Sequence, residues 1–226
     1  MDAQTIQNRI YKGYGVAGAK LGQAYSQYRP VVSSLPALDP AHWLSDDLMI
    51  SFNAQDMRYG RPNGYGQALW YGLLDGTQVQ AGDCFTGPEG TFFLPAMQLD
   101  LPFLMVAAPR LVTVSQSPTL SQTGAIGARP AADETVKQAA CPASILAGGG
   151  GAGLDVPSDT RNPGFTVLMP QVAGVCIEVN DILSDDLGRR YAVASSELSD
   201  MGWRLSATQI VVSRQSAIGG LMGTIR

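Results

Sequence analysis

A spaced pattern of residues returns, without a gap, when this sequence is slid by 98 positions. Gly76, Asp83, Gly90, Phe93 and Ala96 fall on Gly174, Asp181, Gly188, Tyr191 and Ala194. The pattern reads G-x6-D-x6-G-x2-[FY]-x2-A, twice. Apolar positions between the fixed points agree as well: Leu74 with Val172, Val79 with Ile177, Ala81 with Val179. Self-similarity at one offset is the signature of one supersecondary unit built twice. Two copies are too few for a solenoid, so the repeat predicts a pair of related small modules.

Each copy has the grammar of β structure. In the second, Val175, Ile177 and Val179 alternate with Glu178, the period of a half-buried strand. Ser184, Asp185, Asp186, Leu187 and Gly188 read as a turn, with short polar side chains and a terminal Gly free to take positive φ. Alternation resumes from Arg189 to Ser195, with Tyr191 and Val193 on one face. Asp200, Met201 and Gly202 turn again, and 203–207 and 210–212 supply the last strands. In the first copy, 80–83 enter a strand, Gly87 to Gly90 turn and 91–94 return. Leu104 to Ala107 and Leu111 to Val114 close that module. Short strands with turns every 8–12 residues predict small barrels or sandwiches.

Residues 2–29 read as a helix. Ile6, Ile10, Tyr14, Ala17, Leu21, Tyr25 and Tyr28 follow i+3 and i+4 steps, Asp2 suits the N-cap and Pro30 is a stop. Gly13, Gly15, Gly18 and Gly22 each cost about 1 kcal/mol relative to Ala in an isolated helix. Their spacing predicts that another backbone packs closely against it. Residues 115–160 are mostly Ser, Thr, Ala, Gly and Pro and read as a linker, with a short helix over 132–140. The expected fold class is therefore mainly β. An N-terminal helix (1–30) precedes a first β-barrel or sandwich module (31–114), the Gly/Ser/Ala/Pro-rich linker (115–160), a second module (161–215) and a C-terminal tail (216–226).

Chemistry-bearing motifs are weak. Gly13, Gly15 and Gly18 match a dinucleotide fingerprint formally, but that motif follows a strand and opens a helix. Gly148 to Gly151 lack the Lys-Ser/Thr of a phosphate loop and read as linker. Cys84, Cys141 and Cys176 make an odd count without C-x-x-C spacing, and His42 is the lone histidine. That argues against zinc and against a disulfide framework. Cys84 and Cys176 are expected inside strands, as small hydrophobes, and His42 in a turn. Asp46–Asp47 and Asp185–Asp186 are adjacent pairs, which a strand would send to opposite faces. No catalytic, cofactor-binding or metal-binding residue is assigned, no cofactor is expected, and the chain reads as a non-enzyme. The residues singled out are those of the repeat: Gly76, Asp83, Gly90, Phe93, Gly174, Asp181, Gly188 and Tyr191.

Charged residues are only 15% of the chain, against roughly 25% in an ordinary domain. A surface so short of charge is expected to be covered in an assembly. The net charge is −4 and only three residues are lysines, so tight phosphate-mediated binding to nucleic acid is not expected. No apolar run is long enough to span a bilayer, and the start lacks the layout of a signal peptide.

Several stretches resemble a family of tailed-phage and prophage structural proteins. They are Asp159 to Pro163, Val167 to Pro170, Asn180 to Tyr191 and Glu197 to Leu205, together with Tyr11 to Gly15, Tyr28 to Pro30 and Gly90 to Gln98. The hairpin from Asp181 to Tyr191 is also similar to small β-barrel modules of head-completion and neck proteins. The resemblance implies a virion component made in the host cytoplasm: a homo-oligomeric ring, six- or twelve-fold, in the head-to-tail neck, tail nozzle or baseplate, contacting other neck or tail proteins and no membrane. An alternative is a receptor- or carbohydrate-binding tail module, in which Tyr59, Tyr65, Trp70 and Tyr71 form a stacking platform.

Overall fold

The computed structural model describes residues 2–53, 68–99, 101–116, 134–148 and 164–210. It is mainly β: one N-terminal helix and two closed six-stranded barrels. Helix α1 spans Ala3–Leu21, and the Asp2 side chain caps it by accepting from the Thr5 N–H. The first barrel uses β1 (Gln23–Tyr28), β2 (Trp43–Asn53), β3 (Leu69–Leu73), β4 (Cys84–Gly87), β5 (Gly90–Phe93) and β6 (Phe103–Ala107). The second uses β7 (Arg110–Gln116), β8 (Thr135–Ala147), β9 (Gly164–Met169), β10 (Ile182–Asp185), β11 (Arg190–Ser199) and β12 (Gly202–Ile210).

The two barrels have the same topology. The first closes in the order β1-β2-β3-β6-β5-β4, and the second, read from β7, in the order β7-β8-β9-β12-β11-β10. Every neighbouring pair is antiparallel. Closure leaves no strand edge unpaired within the sheet.

Several boundaries differ from the sequence reading. The helix ends at Leu21, not near residue 29; Tyr25 and Tyr28 belong to β1, and Tyr25 is buried inside the first barrel. At Gly22 a Cβ would stand 2.3 Å from the Ile50 carbonyl oxygen. The chain leaves the helix there to pair with β2, so strand pairing overrides helical periodicity. Leu111 to Val114 open the second barrel rather than close the first. Residues 135–147 are β8, not linker, and the expected helix over 132–140 is a strand where it is described. Its Ala-rich sequence lacks strand propensity, but pairing with both β7 and β9 decides. Residues 175–179 are not a strand, and Cys176 there is exposed. The remaining residues of 115–160, and 211–226, lie outside the described set.

The two copies coincide in backbone conformation at the residue before each buried aspartate. Gly82 and Asn180, 98 positions apart, both have positive φ, at 92° and 74°. Their N–H groups donate to the carbonyls of Leu94 and Val193. Beyond the hairpin turn the register slips by one. Gly87 pairs with Gly90 across a two-residue loop, whereas Asp185 and Arg189 enclose three residues. Phe85 therefore faces Phe92, while its counterpart Leu183 faces Tyr191. The partner of Tyr191 in the first barrel is Phe92, and not Phe93.

A one-residue slip turns a strand's side chains over, and the burial follows. Phe92 lies in the first barrel's core with Tyr25, Ile50, Phe85, Phe103 and Met105. Phe93 points out of that barrel and joins Cys84, Val106 and Ala108 against Leu146 and Leu168 of the second. Tyr191 is inside the second barrel, with Val114, Val167, Leu183 and Leu205. The paired glycines Gly76 and Gly174 also serve different ends. Gly174 has φ 77°, whereas a Cβ on Gly76 would lie 2.5 Å from the Phe103 ring and 2.6 Å from Tyr11.

Helix α1 packs on β2 and β3 through its small residues. A Cβ on Gly18 would stand 2.5 Å from the Leu73 carbonyl oxygen and 2.8 Å from that of Met49, whereas Gly13 meets nothing within 4 Å. Gly18→Ala should therefore destabilise the protein by roughly 1–3 kcal/mol through overpacking. Gly13→Ala should stabilise it by about 1 kcal/mol through helix propensity. Thermal melts of the two variants check this, and a Gly18→Ala melt as high as that of the wild type would contradict the close approach.

Candidate functional site

Three features are candidates for chemistry or contact: a carboxylate buried at the same corner of each barrel, a groove beside α1, and a cleft between the barrels. The corner carboxylates are the repeat residues Asp83 and Asp181.

Asp83 follows the left-handed residue Gly82 and stands one residue before β4. Its side chain is fully buried. Burying a charge is costly unless it is paired and hydrogen-bonded, and four donors meet this one. Arg29 Nε lies 2.7 Å from Oδ1 and Arg29 Nη2 2.8 Å from Oδ2. Gln27 Nε2 donates to Oδ2 at 2.8 Å, and the Gln80 N–H to the same oxygen at 2.9 Å. The Arg29–carboxylate fork is bidentate, and its bond to Asp83 raises the Arg29 pKa. Gln27 and Arg29 lie on and just beyond β1, the strand that pairs with β4 to close the barrel.

Asp181 occupies the same place in the second barrel, after Asn180 and before β10. Its Oδ2 accepts from the Glu178 N–H at 2.8 Å, the counterpart of the Gln80 bond. The cation differs. Lys137 on β8 reaches Asp181 at 2.9 Å and Glu178 at 2.9 Å. Desolvation lowers the Lys137 pKa, but its bonds to the two carboxylates outweigh this and leave it raised. A third buried carboxylate, Asp185, accepts from the N–H groups of Leu187 and Arg189 and from Arg189 Nε, which stiffens the β10–β11 turn.

These carboxylates are held by donors on every side and act as structural clamps. Among the described residues no group of three or more His, Cys, Asp and Glu side chains could hold a metal ion. His42 lies in the short 3-10 turn Pro40–His42, buried, with Nδ1 3.0 Å from the Pro36 carbonyl. Asp46 accepts from the Trp43 indole N–H on the surface. Gly13, Gly15 and Gly18 are mid-helix, with no preceding strand among the described residues, so the dinucleotide reading has no structural counterpart. Trp70 and Tyr71 are neighbours on β3 and so point to opposite faces. Trp70 packs edge-on against Phe92, with ring centroids 6.4 Å apart. The two do not share a platform; Tyr59 and Tyr65 lie outside the described residues.

The surface concavities complete the inventory. A cleft of about 320 Å³ between the barrels is lined by Leu69, Leu104, Leu168, Trp203, Glu197 and Arg204. An open groove of about 500 Å³ runs between α1 and the first barrel, past Lys12, Val16, Ala19, Asp47, Met49 and Asp75. Among the described residues no helix is long and apolar enough to cross a membrane. No family model matches the chain, and comparisons with curated proteins and with solved structures find no match.

Two predictions follow from burial. Asp83→Ala strands Gln27, Arg29 and the Gln80 N–H, and removing one partner of a buried ion pair costs about 3–5 kcal/mol. Asp181→Ala strands fewer donors and should cost less. Chemical denaturation of both variants checks the order; equal or inverted losses would contradict the clamp assignment.

The thiols divide likewise. Cys84 and Cys141 are buried and Cys176 is exposed. Desolvation pushes the Cys84 thiol well up and that of Cys141 from 9.0 to about 12. A thiolate-selective reagent near pH 8 should modify Cys176 in the native protein and all three after unfolding. Because the folded pKa of Cys141 is raised, its contribution to stability is whole below about pH 9. It is lost progressively as pH rises from there toward about 12. Rapid native labelling of Cys141 would contradict the core placement.

Proposed function

We propose that this chain is a non-enzymatic structural component of a tailed-phage virion, repeated as a ring about the tail axis in the neck, tail nozzle or baseplate. One observation carries the reading: helix, loops and strands of the described residues all expose large apolar side chains on a charge-poor chain. Val16, Leu21, Val31, Val32, Trp43, Leu44, Val136, Val179, Leu187 and Leu198 are all exposed in the single chain. Only 15% of the sequence is charged. Scattered apolar side chains are ordinary on a monomer; this number on a surface with few charges fits one that is covered by neighbours. The resemblance of the Asn180–Tyr191 and Glu197–Leu205 stretches to tailed-phage structural proteins supports the same reading.

Closed rings arise from heterologous contacts whose rotation closes. A two-barrel body joined to copies of itself needs no catalytic group. The net charge of −4 suits a wall past which DNA moves without being held, since a basic wall would bind phosphates and release counterions. The receptor- or carbohydrate-binding alternative loses its strongest described element, because Trp70 is committed to packing on Phe92. The purified protein should sediment as a multiple of the 23.8 kDa chain mass, six- or twelve-fold. Peptides from it should appear in purified virions by mass spectrometry. A strict monomer at high concentration, together with absence from virions, would overturn the proposal.

A further inference from the structure

The seam between the barrels opens into the cleft of about 320 Å³, near the lower end of the roughly 300–1,000 Å³ typical of small-molecule sites. One wall is the outer face of the first barrel. Phe103 and Met105 turn into that barrel's core, so Leu104 and Val106 turn outward on the same strand, and Leu69 stands opposite Val106 on β3. The other wall is the outer face of the second barrel. Val167 and Leu205 turn inward there, which leaves Leu168, Arg204 and Glu197 in one row across β9, β12 and β11. The floor is the seam itself, where Leu69 and Leu168 pack against the cluster that holds Val106.

Glu197 and Arg204 are direct cross-strand partners. Opposite charges so placed ordinarily bind each other. Here both residues are exposed, and neither side chain makes an ion pair or a hydrogen bond among the described residues. The other cations of the same barrel are committed: Lys137 to Asp181 and Glu178, Arg189 to Asp185, and Arg190 to Glu134. An acid and a base thus stand side by side, unspent, on an otherwise apolar cleft. They are complementary to a small molecule that carries the two opposite charges side by side on an apolar body.

We propose that the cleft between the barrels binds a free α-amino acid with an apolar side chain of leucine or phenylalanine size. Arg204 takes the α-carboxylate, Glu197 takes the α-ammonium, and the side chain enters between Leu69, Leu104, Val106 and Leu168. Directly opposed cross-strand residues have Cβ atoms roughly 4.5–5.5 Å apart, so one α-carbon bearing both charged groups can bridge them. The guanidinium fork matches the carboxylate. The apolar wall supplies most of the affinity, because it removes the side chain from water. The two charges, which stay near solvent, supply selectivity more than affinity. The site lies within a single chain, so the inference is independent of the ring reading.

Calorimetric titration of the full-length protein tests this. L-phenylalanine and L-leucine should bind with a Kd of about 1 mM or tighter. Phenylalaninamide, which lacks the carboxylate, and N-acetylphenylalanine, which lacks the ammonium, should each bind roughly tenfold more weakly or worse. Arg204→Gln should erase the difference between the acid and the amide, and Glu197→Gln that between the free and the acetylated amine. Both variants should keep the wild-type Tm, since neither side chain holds another contact among the described residues. Leu104→Trp, on the outer face, should fill the cleft and abolish binding. No binding of either amino acid at millimolar concentration would overturn the proposal. Equal affinity for phenylalanine and its two derivatives would overturn it as well, since the cleft would then take apolar molecules without reading their charge. So would charge variants that keep the selectivity of the wild type.

Discussion

A carboxylate taken out of water must be met by donors from all sides, and here that requirement ties the chain's ends of contact together. Asp83 is fully buried and binds Gln27 and Arg29 across the β1–β4 pair, the pair that closes the first barrel. Without closure the sheet would have two open edges and the carboxylate would lose Arg29. The left-handed Gly82 aims the Asp83 side chain inward and sets up the Gly82–Leu94 hydrogen bond. The second barrel repeats the turn with Asn180 and Asp181, but its cation comes from β8. The turn geometry is what the two modules share; the countercharge comes from β1's end in the first barrel and, in the second, from β8, one strand beyond β10's partner β7.

The barrels meet through residues that the shared pattern does not distinguish. Phe92 fills the first barrel, and Phe93, on the opposite face of the same strand, seals it against the second. Leu146 and Leu168 complete that seam from β8 and β9, while their neighbours Ile145 and Val167 turn into the second core. Strands buried on both faces account for unbroken apolar runs such as Phe92 to Leu94, which on a one-sided sheet would alternate with polar residues.

Much of the fold was legible in the residues. The 98-residue offset, the hairpin turns ending at Gly90 and Gly188, and the alternation of Tyr191 with Val193 rest on local rules: glycine at positive φ, and period two along a strand, whereas the corners at Gly82 and Asn180 read as strand and are turns. The Gly-rich face of α1 likewise announced a close backbone neighbour. What failed was also local in appearance. Tyr25 and Tyr28 continue the helical period beyond Leu21, yet they belong to a strand, because β2 and β4 compete for that backbone and win. Thr135 to Ala147 looked like linker because its alanines carry little propensity. Flanking strands on both sides make it a strand all the same.

The sequence by itself determined that one β module occurs twice, which aspartates recur in it, and that the chain is short of charge. These follow from residue type and spacing, which act over a few bonds. Only the tertiary structure decided which cation answers each aspartate and that Phe92 and not Phe93 matches Tyr191. Those outcomes depend on one extra residue in a hairpin and on residues brought together from more than forty positions away. Register and closure set them, and neither is written in any short stretch of chain.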